Sequence, residues 1–158
     1  MARQEKTNAI RTLERLKIPF LVHDYTASGA VSGVDVAAAL GEDPARAFKT
    51  LVTVGRSRQH YVFMIPVAEE LDLKKAAAVC GEKAVEMIKS KELLPLTGYV
   101  HGGCSPIGMK KPFPTFIHQT AEGFGAILFS AGRIGLQAEC SLDGLRRVLP
   151  VESADLTV

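Results

Sequence analysis

The chain contains no tryptophan, and it lacks the cysteine and histidine patterns that mark several protein classes. Its three cysteines, Cys80, Cys104 and Cys140, are odd in number, widely spaced and without a C-x-x-C pair. This spacing predicts reduced thiols and not a disulfide framework or a zinc site. The histidines form no H-x-x-x-H or H-E-x-x-H pattern, which argues against a metalloenzyme. We therefore expect neither a metal nor a redox cofactor.

Long apolar runs and a strong excess of charge are also missing. No apolar stretch approaches the roughly 20 residues that span a membrane. The charged start of the chain lacks the apolar centre of a signal peptide, so we expect a cytoplasmic protein. The net charge of +2 argues against a protein that wraps long duplexes by charge alone, but it allows contact with a short nucleic-acid end.

The composition is that of a globular protein. Apolar residues make up 47% and charged residues 23% of 158 residues, which favours one compact domain over the whole chain. A chain of this length buries about two thirds of its unfolded surface, so it can fold without a disulfide or metal.

Helix and strand signals follow one another irregularly. Caps at Ser32, Asp72 and Ser141 and stops at Gly41 and Gly81 bound three of the predicted helices. The predicted helices cover residues 7–17, 33–40, 45–48, 73–80, 90–94 and 142–149. The predicted strands cover residues 20–25, 49–54, 60–65, 85–87, 115–118, 126–130 and 136–140. The pattern predicts an α+β domain with a mixed, mostly antiparallel sheet of about seven strands.

A glycine-rich segment, GGCSPIG at residues 102–108, is the clearest candidate site. Glycines allow positive φ and close approach to a ligand, and their bare N–H groups can point at a carbonyl oxygen or a phosphate. Pro106 biases Ser105 toward an extended backbone and stiffens the segment. The alternative is an ordinary structural turn.

Lys49 is the second candidate. It stands between Phe48 and an apolar strand, so partial burial of its stem would make it a positioned cation. The alternative is a lysine that extends to solvent from the strand end.

A glycine-containing turn at residues 130–133 is the third candidate. Ser130 can donate a hydrogen bond into a cleft, and Arg133, Lys110 and Lys111 can meet phosphates. The alternative for Ser130 is that its hydroxyl only satisfies the turn, and for each of the three cations an ordinary solvated surface is the simpler interpretation. Cys104 has only His101 close in sequence, and nothing in the sequence indicates the lowered pKa that a nucleophilic thiol needs.

Six motifs in the same order resemble the YbaK/EbsC family. They are FKTL at 48–51, ELDLKK at 70–75, KAVEM at 83–87, TGYVHGGCSPIGMKK at 97–111, FPT at 113–115 and SAGRIGL at 130–136. The resemblance implies a barrel-like YbaK/ProRS-associated-domain fold. It also implies a freestanding deacylase related to the editing domain inserted in bacterial prolyl-tRNA synthetases. The usual substrate of the family is cysteine mischarged on proline tRNA.

The resemblance assigns roles to individual positions. Lys49 matches the family's essential lysine, which holds the aminoacyl-adenosine end. Gly102 and Gly103 match the loop whose amides meet the scissile ester. Ser32 and Gln137 depart from the expected pattern, in which an aromatic residue and an acid stand there. The expected substrate-binding residues are Tyr25, Ser32, Thr50, Ser105, Pro106, Gly108, Ser130, Gly132 and Gln137.

The resemblance implies a mechanism in which the substrate's own thiol attacks its ester, with a positioned water as the alternative. Alanine on proline tRNA is an alternative substrate, and a tRNA-acceptor or nucleotide-binding module without catalysis is an alternative function. A regulatory protein that keeps only the fold is the third alternative. The family also implies a complex with tRNA and prolyl-tRNA synthetase. The editing hypothesis requires that Lys49 and the Gly102–Gly103 turn face one cavity.

Overall fold

A computed structural model of the protein describes residues 6–158. Eight strands and five α-helices make up this part of the chain. The strands are β1 (Leu21–Asp24), β2 (Phe48–Gly55), β3 (His60–Pro66), β4 (Val85–Met87), β5 (Thr115–His118), β6 (Ile127–Arg133), β7 (Leu136–Cys140) and β8 (Val151–Ala154). The helices are α1 (Asn8–Arg15), α2 (Gly33–Leu40), α3 (Leu73–Cys80), α4 (Ser90–Thr97) and α5 (Leu142–Val148).

The strands form two sheets. The first has the order β1-β7-β6 and is antiparallel throughout. The second has the order β4-β2-β3-β5-β8, in which β4, β2 and β3 pair antiparallel while β3, β5 and β8 pair parallel. A parallel bridge between Ala47 and Leu128 joins the sheets at the start of β2. The α+β class is confirmed, but within residues 6–158 the two sheets do not close into a barrel.

The helix starts and stops follow local chemistry. The side chains of Ser32, Asp72 and Ser141 accept hydrogen bonds from the first turns of α2, α3 and α5, as predicted. Gly41 and Gly81 end α2 and α3 with positive φ, also as predicted.

Two element predictions were wrong, and one strand was missed. The helix predicted to stop before Pro95 continues to Thr97, where the Thr97 hydroxyl donates to the Leu93 carbonyl at 2.8 Å. Pro95 is exposed, so water can satisfy the carbonyl that loses its intrahelical partner. The helix predicted at 45–48 is a single 3₁₀ turn, Pro44–Arg46, before Phe48 opens β2. Strand β8 was not predicted, because it is short and only Val151 is fully buried in it.

The core lies on both sides of the second sheet. One cluster packs the first sheet against α1 and α5 and includes Leu13 and Phe129. A second packs α3 on Phe63 and Ile65 of β3. A smaller cluster of Val52, Val62, Leu93, Tyr99 and Cys104 lies under the glycine-rich segment. This third cluster anchors the segment against β2.

Candidate active site

A cavity of about 660 Å³ lies beside β2, between α2, the start of α4, the first sheet and the glycine-rich segment. Its size lies within the roughly 300–1,000 Å³ of small-molecule sites. Seven of the predicted site residues line it: Tyr25, Ser32, Lys49, Thr50, Gly102, Ser130 and Gln137. The sequence hypothesis required Lys49 and the glycine turn to share a cavity, and Lys49 and Gly102 do.

The cavity lies where β2 has an open edge. At its start, β2 meets the first sheet through the Ala47–Leu128 bridge, and at its end residues 53–55 pair with β4. No strand of the described chain pairs with the residues between on that side.

Hydrogen bonds show which backbone groups face this gap. The Ile88 N–H donates to the Val52 carbonyl and the Arg56 N–H to the Ala84 carbonyl, whereas the Gly55 N–H donates toward β3, to Gln59. Backbone groups alternate along a strand, so the N–H and C=O of Thr50 point toward the cavity side. The side of the cavity formed by β2 therefore offers an exposed strand edge to a ligand.

Lys49 lies at the foot of this wall. It pairs with Ile65 of β3, so its backbone is fixed by the hairpin, and its side chain is half-buried. None of the ion pairs within residues 6–158 involves Lys49. A half-buried ammonium without a carboxylate partner is available to a polar or anionic group of a ligand.

Gly102 occupies the third position of a tight turn over residues 100–103. The Gly103 N–H donates to the Val100 carbonyl at 3.0 Å, and Gly102 has a φ of 85°. A type II turn requires positive φ at that position, which explains the glycine. Among the described residues no backbone acceptor pairs with the Gly102 N–H. This amide is therefore available at the cavity.

Gly103 has a different environment. Its N–H is used within the turn, and a Cβ at this position would lie 2.8 Å from the Ile134 backbone nitrogen. The absence of a side chain lets the segment pack directly on the Arg133–Ile134 backbone. The structure places Gly103 behind the cavity wall, so its predicted contact with the ester stays a prediction.

Residues 105–107 of the segment are buried and do not line the cavity. Ser105 is fully buried, and its hydroxyl accepts from the Ile107 N–H at 3.2 Å. The Tyr99 hydroxyl donates to the Ile107 carbonyl at 2.6 Å. The other predicted residues outside the wall are Pro106, Gly108 and Gly132. Their predicted binding roles are therefore not matched by cavity contacts.

Two polar wall residues have buried atoms without partners. Within residues 6–158, the Thr50 hydroxyl and the Gln137 side-chain oxygen make no hydrogen bond. Gln137 is 6% exposed and pairs in register with His23 and Ser130. Buried polar atoms are normally paired, so incomplete pairing at a cavity is typical of a binding site.

Sequence reasoning missed Glu42, which lies behind Gln137. Burial raises the pKa of the Glu42 carboxyl, while the Gln137 amide and the nearby His23 and Arg46 oppose the rise. Glu139 lies two residues after Gln137 on β7. It accepts a hydrogen bond from His23 at 2.7 Å and pairs with Arg46 at 3.2 Å, and these contacts lower its pKa. No local motif marks Glu42, because its contact with Gln137 joins the loop after α2 to β7, which is distant in sequence.

Cys104 also lines the cavity, but its thiol is suited to packing. It is 7% exposed, and burial raises the pKa of its thiol to about 12. A neutral thiol is a weak nucleophile. The structure thus gives no support to a nucleophilic Cys104.

Other wall residues were not predicted. Val31, Val34 and Met87 are exposed apolar side chains at the cavity, and Lys89 and His101 add polar groups. The exposed valines precede and open α2, a position that sequence alone does not mark as functional.

Residues 6–158 contain neither a metal-binding cluster nor a membrane-spanning helix. No group of three or more His, Cys, Asp or Glu side chains is arranged to hold a metal ion. No helix there has the length and apolar character needed to cross a membrane.

Comparison with known proteins shows the family to which the chain belongs. The model of the family described as "Aminoacyl-tRNA editing domain" matches residues 28–148. A protein of Enterococcus faecalis (strain ATCC 700802 / V583), named "Putative Cys-tRNA(Pro)/Cys-tRNA(Cys) deacylase EbsC", is 44% identical over 155 residues, covering 98% of this chain and 94% of the relative.

Solved structures share the fold. One, described as "a putative trans-editing enzyme for prolyl tRNA synthetase", has a TM-score of 0.86 at 24% identity and covers 98% of this chain and 99% of its own. A hypothetical protein has a TM-score of 0.88 at 18% identity, covering 96% of this chain and all of its own. At these identities the likeness concerns the fold.

Proposed function

Because the chain belongs to the aminoacyl-tRNA editing domain family, we propose that it deacylates tRNA carrying cysteine, with Cys-tRNA(Pro) or Cys-tRNA(Cys) as substrate. The observation that carries the proposal is the shared cavity of Lys49 and Gly102 beside the open edge of β2. The 44% identical relative, with the same activity in its name, supports the choice of cysteine.

Each part of the cavity has a task in this reaction. Lys49 contributes a cation that can hold the ribose or phosphate oxygens of the terminal adenosine. The Gly102 N–H can donate to the ester carbonyl oxygen as negative charge develops there, an effect worth several kcal/mol in enzymes. The apolar side chains around Phe129 and Leu136 limit water in the site. Fixing the reacting atoms close together supplies much of the remaining rate enhancement.

The proposed chemical step uses the substrate's own thiol. Its sulfur attacks the ester carbonyl carbon, the bond from that carbon to the ribose oxygen breaks, and the thiol proton passes to the ribose oxygen. The products are cysteine thiolactone and tRNA with a free terminal hydroxyl. No nucleophile from the protein is then required, which agrees with the raised pKa of Cys104.

An editing enzyme compensates for the limited selectivity of small binding pockets. Cysteine and proline are similar in size, and one methylene changes binding by only about 1–3 kcal/mol. A second site with different chemistry can remove the error. We expect it to act in the cytoplasm with tRNA as partner, and a complex with prolyl-tRNA synthetase remains a prediction.

A deacylation panel tests the proposal. Proline tRNA charged with cysteine, serine or alanine is incubated with the protein, and released thiolactone is trapped and identified. We expect cleavage of the cysteine ester and resistance of the serine and alanine esters. Equal rates on all three would reject the thiol mechanism in favour of water. Binding of tRNA without cleavage of any ester would favour a binding module.

A further inference from the structure

A second hollow, of about 350 Å³, lies next to the cavity and contains two arginines, Arg56 and Arg58. It is formed by the ends of β2 and β4 and by the turn that leads to β3, and Glu86 also lines it. The activity proposed above gives this hollow no task.

The linings of the two hollows follow one another along the β2–β4 pair. Val52 and Ile88 line the first cavity, while Val54 and Glu86, which are cross-strand partners, line the second. Residues two apart on a strand share a face. The Arg56 N–H continues the ladder by donating to Ala84 at 3.0 Å, so Arg56 follows Val54 on this face. Val52 and Val54 are two residues, or about 7 Å, apart along the strand.

The arginines are not neutralised by the acids around them. None of the ion pairs within residues 6–158 involves Arg56, Arg58 or Glu86. The other nearby acid, Glu82, instead accepts from the Ser57 backbone N–H at 3.1 Å and from the Tyr61 hydroxyl at 2.7 Å. These bonds fix the turn and leave the guanidinium groups available.

Arg58 is held in an unfavourable backbone conformation. Its φ is 78°, a region in which residues other than glycine, asparagine and aspartate are uncommon. Its N–H donates to the Gly55 carbonyl at 2.9 Å, which closes the turn. Glycine would fit this position better, so the backbone at Arg58 carries local strain.

We propose that the Arg56–Arg58 hollow binds the phosphodiester backbone of the single-stranded 3′ end of the tRNA, immediately before the terminal adenosine. This inference rests on the proposed function, because the first cavity must hold the aminoacyl-adenosine. Guanidinium groups bind phosphate oxygens through paired hydrogen bonds. The hollow follows the first cavity along β2, which suits the next nucleotides of one strand, and Lys89 adds a cation at the first cavity.

Direct binding tests this site without requiring turnover. The ligands are a labelled RNA hexamer ending in CCA and free adenosine, and the variant is Arg56→Gln with Arg58→Gln. We expect its affinity for the hexamer to fall about tenfold and the slope of log affinity against log salt to fall by about 1.4, since two phosphate contacts are lost from a single strand. Affinity for adenosine should not change.

A matched control removes two exposed arginines from α1, Arg11→Gln with Arg15→Gln, and should leave hexamer affinity within twofold. Glu86→Gln should raise affinity about twofold, because it removes the negative charge in the hollow. Unchanged hexamer affinity in the Arg56 and Arg58 variant would overturn the proposal, as would an equal loss in the control. A loss seen with intact tRNA but not with the hexamer would place the contact on the acceptor stem and overturn it too.

The deacylation panel separates this inference from the proposed function. Loss of hexamer binding in a protein that cleaves no ester would support the phosphate site and reject the deacylase. If the protein cleaves Cys-tRNA but its affinity for the hexamer is unchanged in the Arg56 and Arg58 variant, the deacylase is supported and the phosphate site is rejected.

Discussion

The glycine-rich segment has two halves with different surroundings. In the first, Gly102 faces the cavity, and a Cβ there would lie 3.1 Å from a Val31 methyl group, which can move. In the second, a Cβ on Gly108 would lie 2.8 Å from the Tyr99 hydroxyl and 3.1 Å from the Asn8 backbone. One run of glycines thus allows a ligand to approach in one half and lets the chain pack closely in the other.

Gly132, which was predicted in a turn but lies near the end of β6, belongs with the buried half. A Cβ at Gly132 would lie 2.9 Å from the Tyr99 ring, so Gly108 and Gly132 both pack on this tyrosine. The tyrosine in turn fixes the segment through its bond to Ile107. The comparison predicts that changes in the cavity half reduce activity, whereas changes in the buried half reduce stability.

The largest effect on activity is expected at Lys49, across from the first half. Lys49→Ala should lower the rate of Cys-tRNA deacylation at least about 100-fold, comparable to removing one key donor from an active site. Its melting temperature should stay close to that of the wild type, because the ammonium makes no ion pair within residues 6–158.

Steady-state kinetics and thermal melting measure both quantities. Lys74→Ala, which removes an exposed lysine of α3, is the matched control and should retain full activity. A Lys49→Ala protein that folds normally and still turns over at the wild-type rate would remove the lysine from the mechanism.

Local signals allowed much of the fold to be predicted. Strands 115–118 and 136–140 and the caps at Ser32, Asp72 and Ser141 depend on neighbouring residues, and the structure has them as expected. The division into two sheets was not predicted. It depends on pairings such as β5 with β8, which are distant in sequence, and such pairings leave no local pattern.

The site was predicted in the same uneven way. The motif resemblance pointed to Lys49 and Gly102, and these do share a cavity. The same segment also suggested Ser105 and Gly108, which do not line the cavity, because a glycine or serine in a loop has the same sequence signal in either role. The open edge of β2 could not be foreseen, since it depends on where β4 and β6 end.

The second prediction separates the two halves directly. Gly108→Ala should lower the free energy of unfolding by about 2–4 kcal/mol, from a positive φ of 81° and a clash with Tyr99. Gly102→Ala should cost only about 1–2 kcal/mol, from its positive φ. Activity should show the opposite order, with Gly102→Ala slower than Gly108→Ala per folded molecule. Urea unfolding and deacylation rates measure the pair, and equal losses in both assays would contradict the division.

The smallest effect is expected at Cys104, where the two halves meet. Burial raises the pKa of its thiol from 9.0 to about 12, so the folded protein keeps a proton that the unfolded chain loses. This contribution to stability is present below pH 9 and is lost as the pH rises toward 12. Tyr99, whose pKa burial also raises to about 12, adds a similar loss near the upper end.

Cys104→Ala should therefore flatten the fall of stability between pH 9 and 12, measured by urea unfolding at several pH values. It should also leave deacylation within about twofold, because a protonated thiol is no nucleophile. Cys140→Ala, which removes a buried thiol away from the cavity, is the control for the deacylation rate. If Cys104→Ala alone loses turnover while its fold stays intact, Cys104 belongs to the reacting site. The substrate thiol would then need the Cys104 side chain for the reaction.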